Sequence, residues 1–316
     1  DFSGGFGGGS CQRRHTPVIF VHGNADHAVS WDSDIVGTVA GRPAPSRSVY
    51  DELLSRGYQP CELFGVTFLE ATEQRMPQLN YHSPAKYRMI LDFVADVQRT
   101  TGAAQVDIVS HSLGVSMAMA ALTWSDEKGH QDAGWSDVRR FVNIAGGVRG
   151  LSSCLAVGFA NPLATTCGSQ NLLDPYVFGF FPSANGWTAL SGRHSLAAMP
   201  ARHPGVAFYT LSAGEHDQVH CSGVPAVGRR CAQGALYLQA TNVRAQLDVG
   251  AGSTATSLDL DISDGSPFTA QAGDVDGVGH YKARNNTGEI IFQMLDGDCV
   301  GLACRGTYAG TVSVVS

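Results

Sequence analysis

Val106-Asp107-Ile108-Val109-Ser110-His111-Ser112-Leu113-Gly114-Val115-Ser116-Met117-Ala118-Met119-Ala120-Ala121-Leu122 joins an apolar run to a run of helix formers through one serine-centred turn. A strand, a sharp turn with a central serine and then a helix form a nucleophile elbow. The turn is tight, so the residues two positions either side of the serine must be small. Ser110 and Gly114 meet that requirement, with Ser110 standing where glycine is usual. A serine in an ordinary strand-to-helix turn reads the same way over five residues. The assignment therefore depends on what surrounds it.

Outward from this stretch, apolar runs alternate with helical patterns. Strands are expected at Thr16 to Val21, Cys61 to Phe68, Val106 to Ser110, Arg140 to Ala145, Val206 to Ser212 and Val243 to Val249. Residues 47–56 suit a helix, with Ser46 or Ser48 as cap and Gly57 as stop. Ser83-Pro84 opens a long helix to about Thr101. Tyr87, Ile90, Leu91, Val94 and Val97 keep helical spacing there, and proline suits the first turn. A last helix is expected over Thr287 to Leu295. Strands apolar throughout, alternating with helices, imply an α/β fold whose mostly parallel central sheet is flanked by helices on both faces. No proline-rich or charged linker divides the chain. It reads as one catalytic domain over 1–316, with a glycine-rich flexible lead-in at 1–15 and an irregular insertion at about 147–203.

A serine hydroxyl is a weak nucleophile at neutral pH and needs a base, which in turn needs an orienting acid. In elbow-type hydrolases the acid follows the second strand beyond the elbow strand, and the histidine follows the last core strand. Counting forward from Ser112 reaches Ala213-Gly214-Glu215-His216-Asp217, so Asp217 is the acid candidate and Glu215 the alternative. Beyond the 243–249 strand comes Gly277-Val278-Gly279-His280, which makes His280 the base candidate. Of the 11 histidines, His22 precedes the serine, and His111 should point away from it. His216 and His220 sit in the acid's own loop, and His194 and His203 in the insertion. An oxyanion hole needs two backbone N–H groups. Leu113 at the helix start supplies one candidate and Asn24 of His22-Gly23-Asn24 the other.

With 316 residues, 43% of them hydrophobic, the chain can bury a large α/β core. Its net charge of -7 and the lack of a long basic stretch argue against nucleic acid as a partner. No apolar run reaches the about 20 residues that span a bilayer. Asp259, Asp261 and Asp264 with Gly265 only loosely imitate a calcium loop, because Ala270 stands where the closing glutamate belongs. They read as a solvated acidic loop, and neither a metal nor another cofactor is expected. Eight cysteines without a C-x-x-C pair point to disulfides and hence to a secreted, extracellular protein. The start at Asp1 without methionine reads as a processed chain. Proximity suggests Cys154–Cys167, Cys221–Cys231 and Cys299–Cys304, leaving Cys11–Cys61, among many formally allowed pairings. Phe178, Phe180, Phe181 and Trp187 read equally as core residues or as a polymer-docking patch.

Several runs together resemble an extracellular bacterial poly(3-hydroxybutyrate) depolymerase of the single-domain, lipase-like type, a member of the α/β-hydrolase superfamily. They are Thr16 to Asn24, Gln105 to Ser112, Thr166 to Asn171, Phe208 to Gly214, Val249 to Ser253 and Gly277 to His280. The resemblance implies an α/β-hydrolase fold and a triad on Ser112, Asp217 and His280. It also implies oxyanion donors on Asn24 and Leu113 and a polymer contact at Tyr81, with Trp187 a further substrate-contact candidate. The elbow departs from the family pattern at Ser110 and Leu113, and the stretch from Pro182 to Arg202 is shorter than its counterpart. The expectation is a secreted, monomeric serine esterase acting on polyester. Alternatives are a lipase or carboxylesterase on acylglycerols or small esters, a hydrolase of synthetic polyesters, and a non-catalytic polymer binder.

Overall fold

The computed structural model describes residues 5–32, 47–80, 82–123, 133–151, 163, 165–167, 196–214, 217, 219–220, 235–250, 279–306 and 312–315. Its centre is a sheet of seven described strands: β1 (Val18–Val21), β2 (Leu63–Val66), β3 (Val106–His111), β4 (Val138–Ile144), β5 (Ala207–Ser212), β6 (Val243–Asp248) and β7 (Ser313–Val314). Their order is β2-β1-β3-β4-β5-β6-β7, and every pairing is parallel except the last. The short antiparallel β7 lies outside what the sequence pattern suggested.

Alternate strand residues serve opposite faces, as the twofold pleat demands. Ile19, Val21, Ile108, Phe141 and Phe208 face one core with α3 (Pro84–Thr101), which follows the short α2 (Ala71–Arg75), and with α4 (Leu113–Thr123). Val18, Phe20, Val109, Val142 and Tyr209 face the other, with α1 (Val49–Ser55) and the C-terminal helix Gly288–Leu295. Burial on both faces explains why these strands read as unbroken apolar runs. Every residue of α4 is buried, so this helix has no polar face.

The helix ends follow their local chemistry. Ser48 accepts the Asp51 N–H at 3.0 Å and caps α1, which chooses Ser48 over Ser46. Pro84 opens α3, and Gly102 closes it in the left-handed conformation. β2 is shorter than the expected Cys61–Phe68 run because Pro60–Glu62 coils into a 3-10 turn.

The described part of the glycine-rich lead-in packs onto the sheet at Phe6. Phe6 exchanges backbone hydrogen bonds of 3.0 Å and 2.9 Å with Gly65, and its ring packs against Phe20 and Tyr50. A Cβ on Gly65 would come 2.4 Å from the Phe6 ring, so only glycine admits this contact. The Cys11–Cys61 and Cys299–Cys304 bonds are both present. Cys154, Cys221 and Cys231 and the side chain of Cys167 lie outside the described residues, as do Phe178, Phe180, Phe181 and the Asp259–Asp264 loop.

One buried ion pair fastens the loop after β1 to the segment after His280. Arg284 bonds Asp26 and also donates to Ser30 Oγ at 3.1 Å, with its guanidinium lying over the Trp31 ring. Burial pushes the Asp26 carboxyl upward, yet the Arg284 guanidinium and nearby hydrogen bonds hold it below its ordinary value. Its stabilising contribution is therefore full above the ordinary carboxylate range and is lost as pH falls through the lowered value. Arg284→Met leaves a buried carboxylate uncompensated and should lose about 3–5 kcal/mol of stability in urea unfolding at pH 7. Adding Asp26→Asn should restore most of that loss, and a double variant as unstable as the single one would contradict the pair's role.

Candidate active site

β3 delivers Ser112 to the carboxyl end of the sheet. Its φ is +53°, in the left-handed region that a residue with a side chain enters only when the surroundings impose it. The Ser112 N–H donates to the Ile144 carbonyl of β4 at 2.9 Å. On the far side of the turn α4 passes so close to β1 that a Cβ on Gly114 would lie 2.2 Å from the His22 carbonyl oxygen. The smallness inferred for that position is thus a steric necessity. At the first elbow position, Ser110 is fully buried and donates its hydroxyl to the Val142 carbonyl at 3.0 Å. That bond satisfies the hydroxyl that replaces glycine's hydrogen.

The three residues named as a triad converge. His280 Nε2 lies 2.9 Å from Ser112 Oγ. His280 Nδ1 lies 3.1 Å and 3.0 Å from the two Asp217 carboxylate oxygens. An ionised carboxylate only accepts, so Nδ1 carries the ring proton and the Nε2 lone pair faces the serine hydroxyl. Asp217 is fully buried. Burial pushes its carboxyl upward, but the neighbouring His220 and His280 and the hydrogen bonds it accepts carry it well below its ordinary value. Two of those bonds are backbone N–H groups of Val219 at 3.0 Å and His220 at 2.9 Å, both on Oδ1. Glu215, the alternative acid, lies outside the described residues.

The His22-Gly23-Asn24 turn lies directly against the serine, since a Cβ on Gly23 would be 3.1 Å from Ser112 Cβ. His22 is structural. Its Nε2 accepts the Phe68 N–H at 3.2 Å, so Nδ1 bears the proton and donates to the Gly23 carbonyl at 2.8 Å. Burial lowers its pKa to about 4 and keeps it neutral. The Asn24 side chain shapes the turn: Nδ2 donates to the Pro77 carbonyl at 2.8 Å, while Oδ1 accepts from Ala25 N–H at 3.1 Å and from Asn80. Leu113 is the first residue of α4, where a backbone N–H has no intrahelical carbonyl to meet.

Three supporting residues escaped the sequence reading. Asn80 braces Asn24 from 56 positions away, a separation that no local pattern records. His111 meets the base: its Nε2 lies 2.9 Å from the His280 carbonyl oxygen, and its ring lies tilted against the His280 ring at 4.8 Å. His220 places Nδ1 3.4 Å from Asp217 Oδ2. Its three-residue offset from Asp217 was the available signal, since that spacing in a turn brings a side chain back onto its neighbour. Asp217, His220 and His280 offer ligand atoms that all lie within 4.8 Å of one another. Tyr81 and Trp187 lie outside the described residues, so the structure does not place the two substrate-contact candidates.

The family model for lipase (class 2) matches residues 15–177. No curated protein matches the chain. Among solved structures, Aspergillus fumigatus lipase B is similar at 15% identity and a TM-score of 0.47, over 93% of this chain and 57% of that one. The propeptide form of Bacillus licheniformis lipase BlEst2 is similar at 12% identity and a TM-score of 0.39, over 66% of this chain and 38% of that one. The Bacillus subtilis carboxylesterase CesB is similar at 12% identity and a TM-score of 0.31, over 68% and 70%. This chain therefore spans well under two thirds of the length of the first two. The matched stretch covers more than half of the chain and contains β1, the His22-Gly23-Asn24 turn and the Ser112 elbow, and the chain belongs to the class 2 lipase family.

Proposed function

We propose that this protein is a secreted serine esterase, built as one catalytic domain, that hydrolyses ester bonds of a poly(3-hydroxybutyrate)-type polyester. The observation that carries the esterase reading is the continuous relay Asp217–His280–Ser112, with contacts of 3.0 Å and 2.9 Å. Ser112 Oγ attacks the ester carbonyl while His280 Nε2 takes its proton. Asp217 keeps that proton acceptor in the correct tautomer and stabilises the imidazolium. The N–H groups of Leu113 and Asn24 receive the developing oxyanion, and the helix start at Leu113 adds a favourable dipole. His280 then protonates the leaving alcohol, and water, activated by the same nitrogen, releases the acyl group. The two disulfides are compatible with an oxidising compartment.

The polyester as substrate rests on the sequence likeness that runs through nearly the whole chain. A lipase or carboxylesterase acting on acylglycerols is the second reading. The class 2 lipase match favours it equally, and it would use the same residues in the same roles.

Ser112→Ala should lower kcat for a soluble p-nitrophenyl ester by about 10⁴-fold or more with the fold intact, and Asp217→Asn by a similar factor. Retention of near-normal hydrolysis by either variant would remove that residue from the mechanism. Soluble product released from a poly(3-hydroxybutyrate) film, set beside glycerol-ester hydrolysis in tributyrin emulsion, decides the substrate. The proposal expects film erosion at a rate comparable with tributyrin turnover, and tributyrin turnover without film erosion would move the reading to a lipase.

A further inference from the structure

The carboxylate of Asp217 faces two imidazoles, and ester hydrolysis uses only one of them. His280 Nδ1 and His220 Nδ1 both approach Asp217 Oδ2, at 3.0 Å and 3.4 Å. Oδ1 lies 3.1 Å from His280 Nδ1 as well and accepts the backbone N–H groups of Val219 and His220. The two rings stand nearly perpendicular, with centroids 5.5 Å apart. All three side chains are buried. Two imidazole nitrogens and one carboxylate oxygen within 4.8 Å of one another make a three-ligand donor set of the kind that holds Zn²⁺ and leaves a fourth position for water. The His220 ring also hydrogen-bonds the backbone of Ala145, and such an outer partner fixes the orientation of a coordinating imidazole.

We propose that Asp217, His220 and His280 form an inhibitory site for a borderline-soft divalent cation of the Zn²⁺ class. The inhibitory role rests on the triad reading above. In the working tautomer, His280 carries its proton on Nδ1 and offers the Nε2 lone pair to Ser112. Coordination needs the lone pair on Nδ1 instead. The ring stays neutral, giving up the Nδ1 proton and taking one up on Nε2, which lies 2.9 Å from Ser112 Oγ. An N–H at that position donates to the serine and cannot accept its proton. The cation thus removes the general base through a change of tautomer, with no covalent bond between heavy atoms made or broken. Mg²⁺ fits poorly, because it prefers oxygen ligands in octahedral array.

The test separates binding from catalysis. Ser112→Ala protein is dialysed against ZnCl₂ and its bound metal is measured, beside Ser112→Ala/His220→Ala and Ser112→Ala/His220→Gln, all checked for native near-ultraviolet dichroism. The expected result is about one zinc per chain in the first and at least about tenfold weaker binding in the other two. Equal binding by all three, or no zinc bound by Ser112→Ala protein, would overturn the site. In the unsubstituted enzyme, zinc should suppress p-nitrophenyl butyrate hydrolysis, EDTA should restore it and Mg²⁺ should have no effect. Zinc that binds without slowing hydrolysis would overturn the inhibitory role. Dialysis needs no turnover, so an enzyme without esterase activity would sink the triad reading and leave the metal site to be judged by the binding data.

Discussion

The left-handed backbone at Ser112 is the constraint around which the molecule is arranged. A φ of +53° on a serine is unfavourable in isolation, by about 1–3 kcal/mol, and it persists because packing on both sides leaves no relaxed alternative. β4 holds the turn from one side through the Ile144 carbonyl, and α4 presses it against β1 from the other, with Gly114 making the contact admissible. The outcome lifts the hydroxyl out of the sheet toward the histidine. A fully buried α4 and strands covered on both faces are what make the surroundings stiff enough to impose that geometry.

The partners of Ser112 arrive from distant parts of the chain, and each is tied to the same framework. Asp217 is set by the turn after β5, whose own N–H groups it accepts. His280 is held by its backbone as well as its ring, since its carbonyl oxygen meets His111, the residue beside the nucleophile. Arg284, four positions further on, reaches back to Asp26 in the loop that carries Asn24. The base and the candidate oxyanion loop therefore share one buried ion pair. A displacement of either would be felt by the other, and both would be felt at the serine.

Much of this was legible in the sequence because it depends on short-range pattern. The runs at 16–21, 106–110 and 243–249 announced buried parallel strands, and the small residues at 110 and 114 announced the elbow. Topological order singled out Asp217 and His280 from a crowded set of acids and histidines, and the structure sets His280 against Ser112 and Asp217 against His280. The relations that escaped were long-range or depended on three-dimensional accommodation. Nothing local at Phe6 reports that Gly65 leaves a slot for its ring. Asn80 and Asn24 meet only because two loops cross, and Arg284 finds Asp26 across almost the whole chain. His220 was discounted for its nearness to the acid, which is what places its imidazole on the carboxylate. β7 is two residues long, too short for any periodicity to declare it.

The central claim is that the Ser112 hydroxyl is activated by His280 in the native fold. Covalent labelling with a fluorophosphonate, followed by peptide mapping in the mass spectrometer, tests it most directly. The account predicts one adduct per chain, on Ser112, formed rapidly in the native protein and lost in His280→Ala protein that remains folded. An adduct on another residue, or rapid labelling of Ser112 that persists without His280, would contradict it.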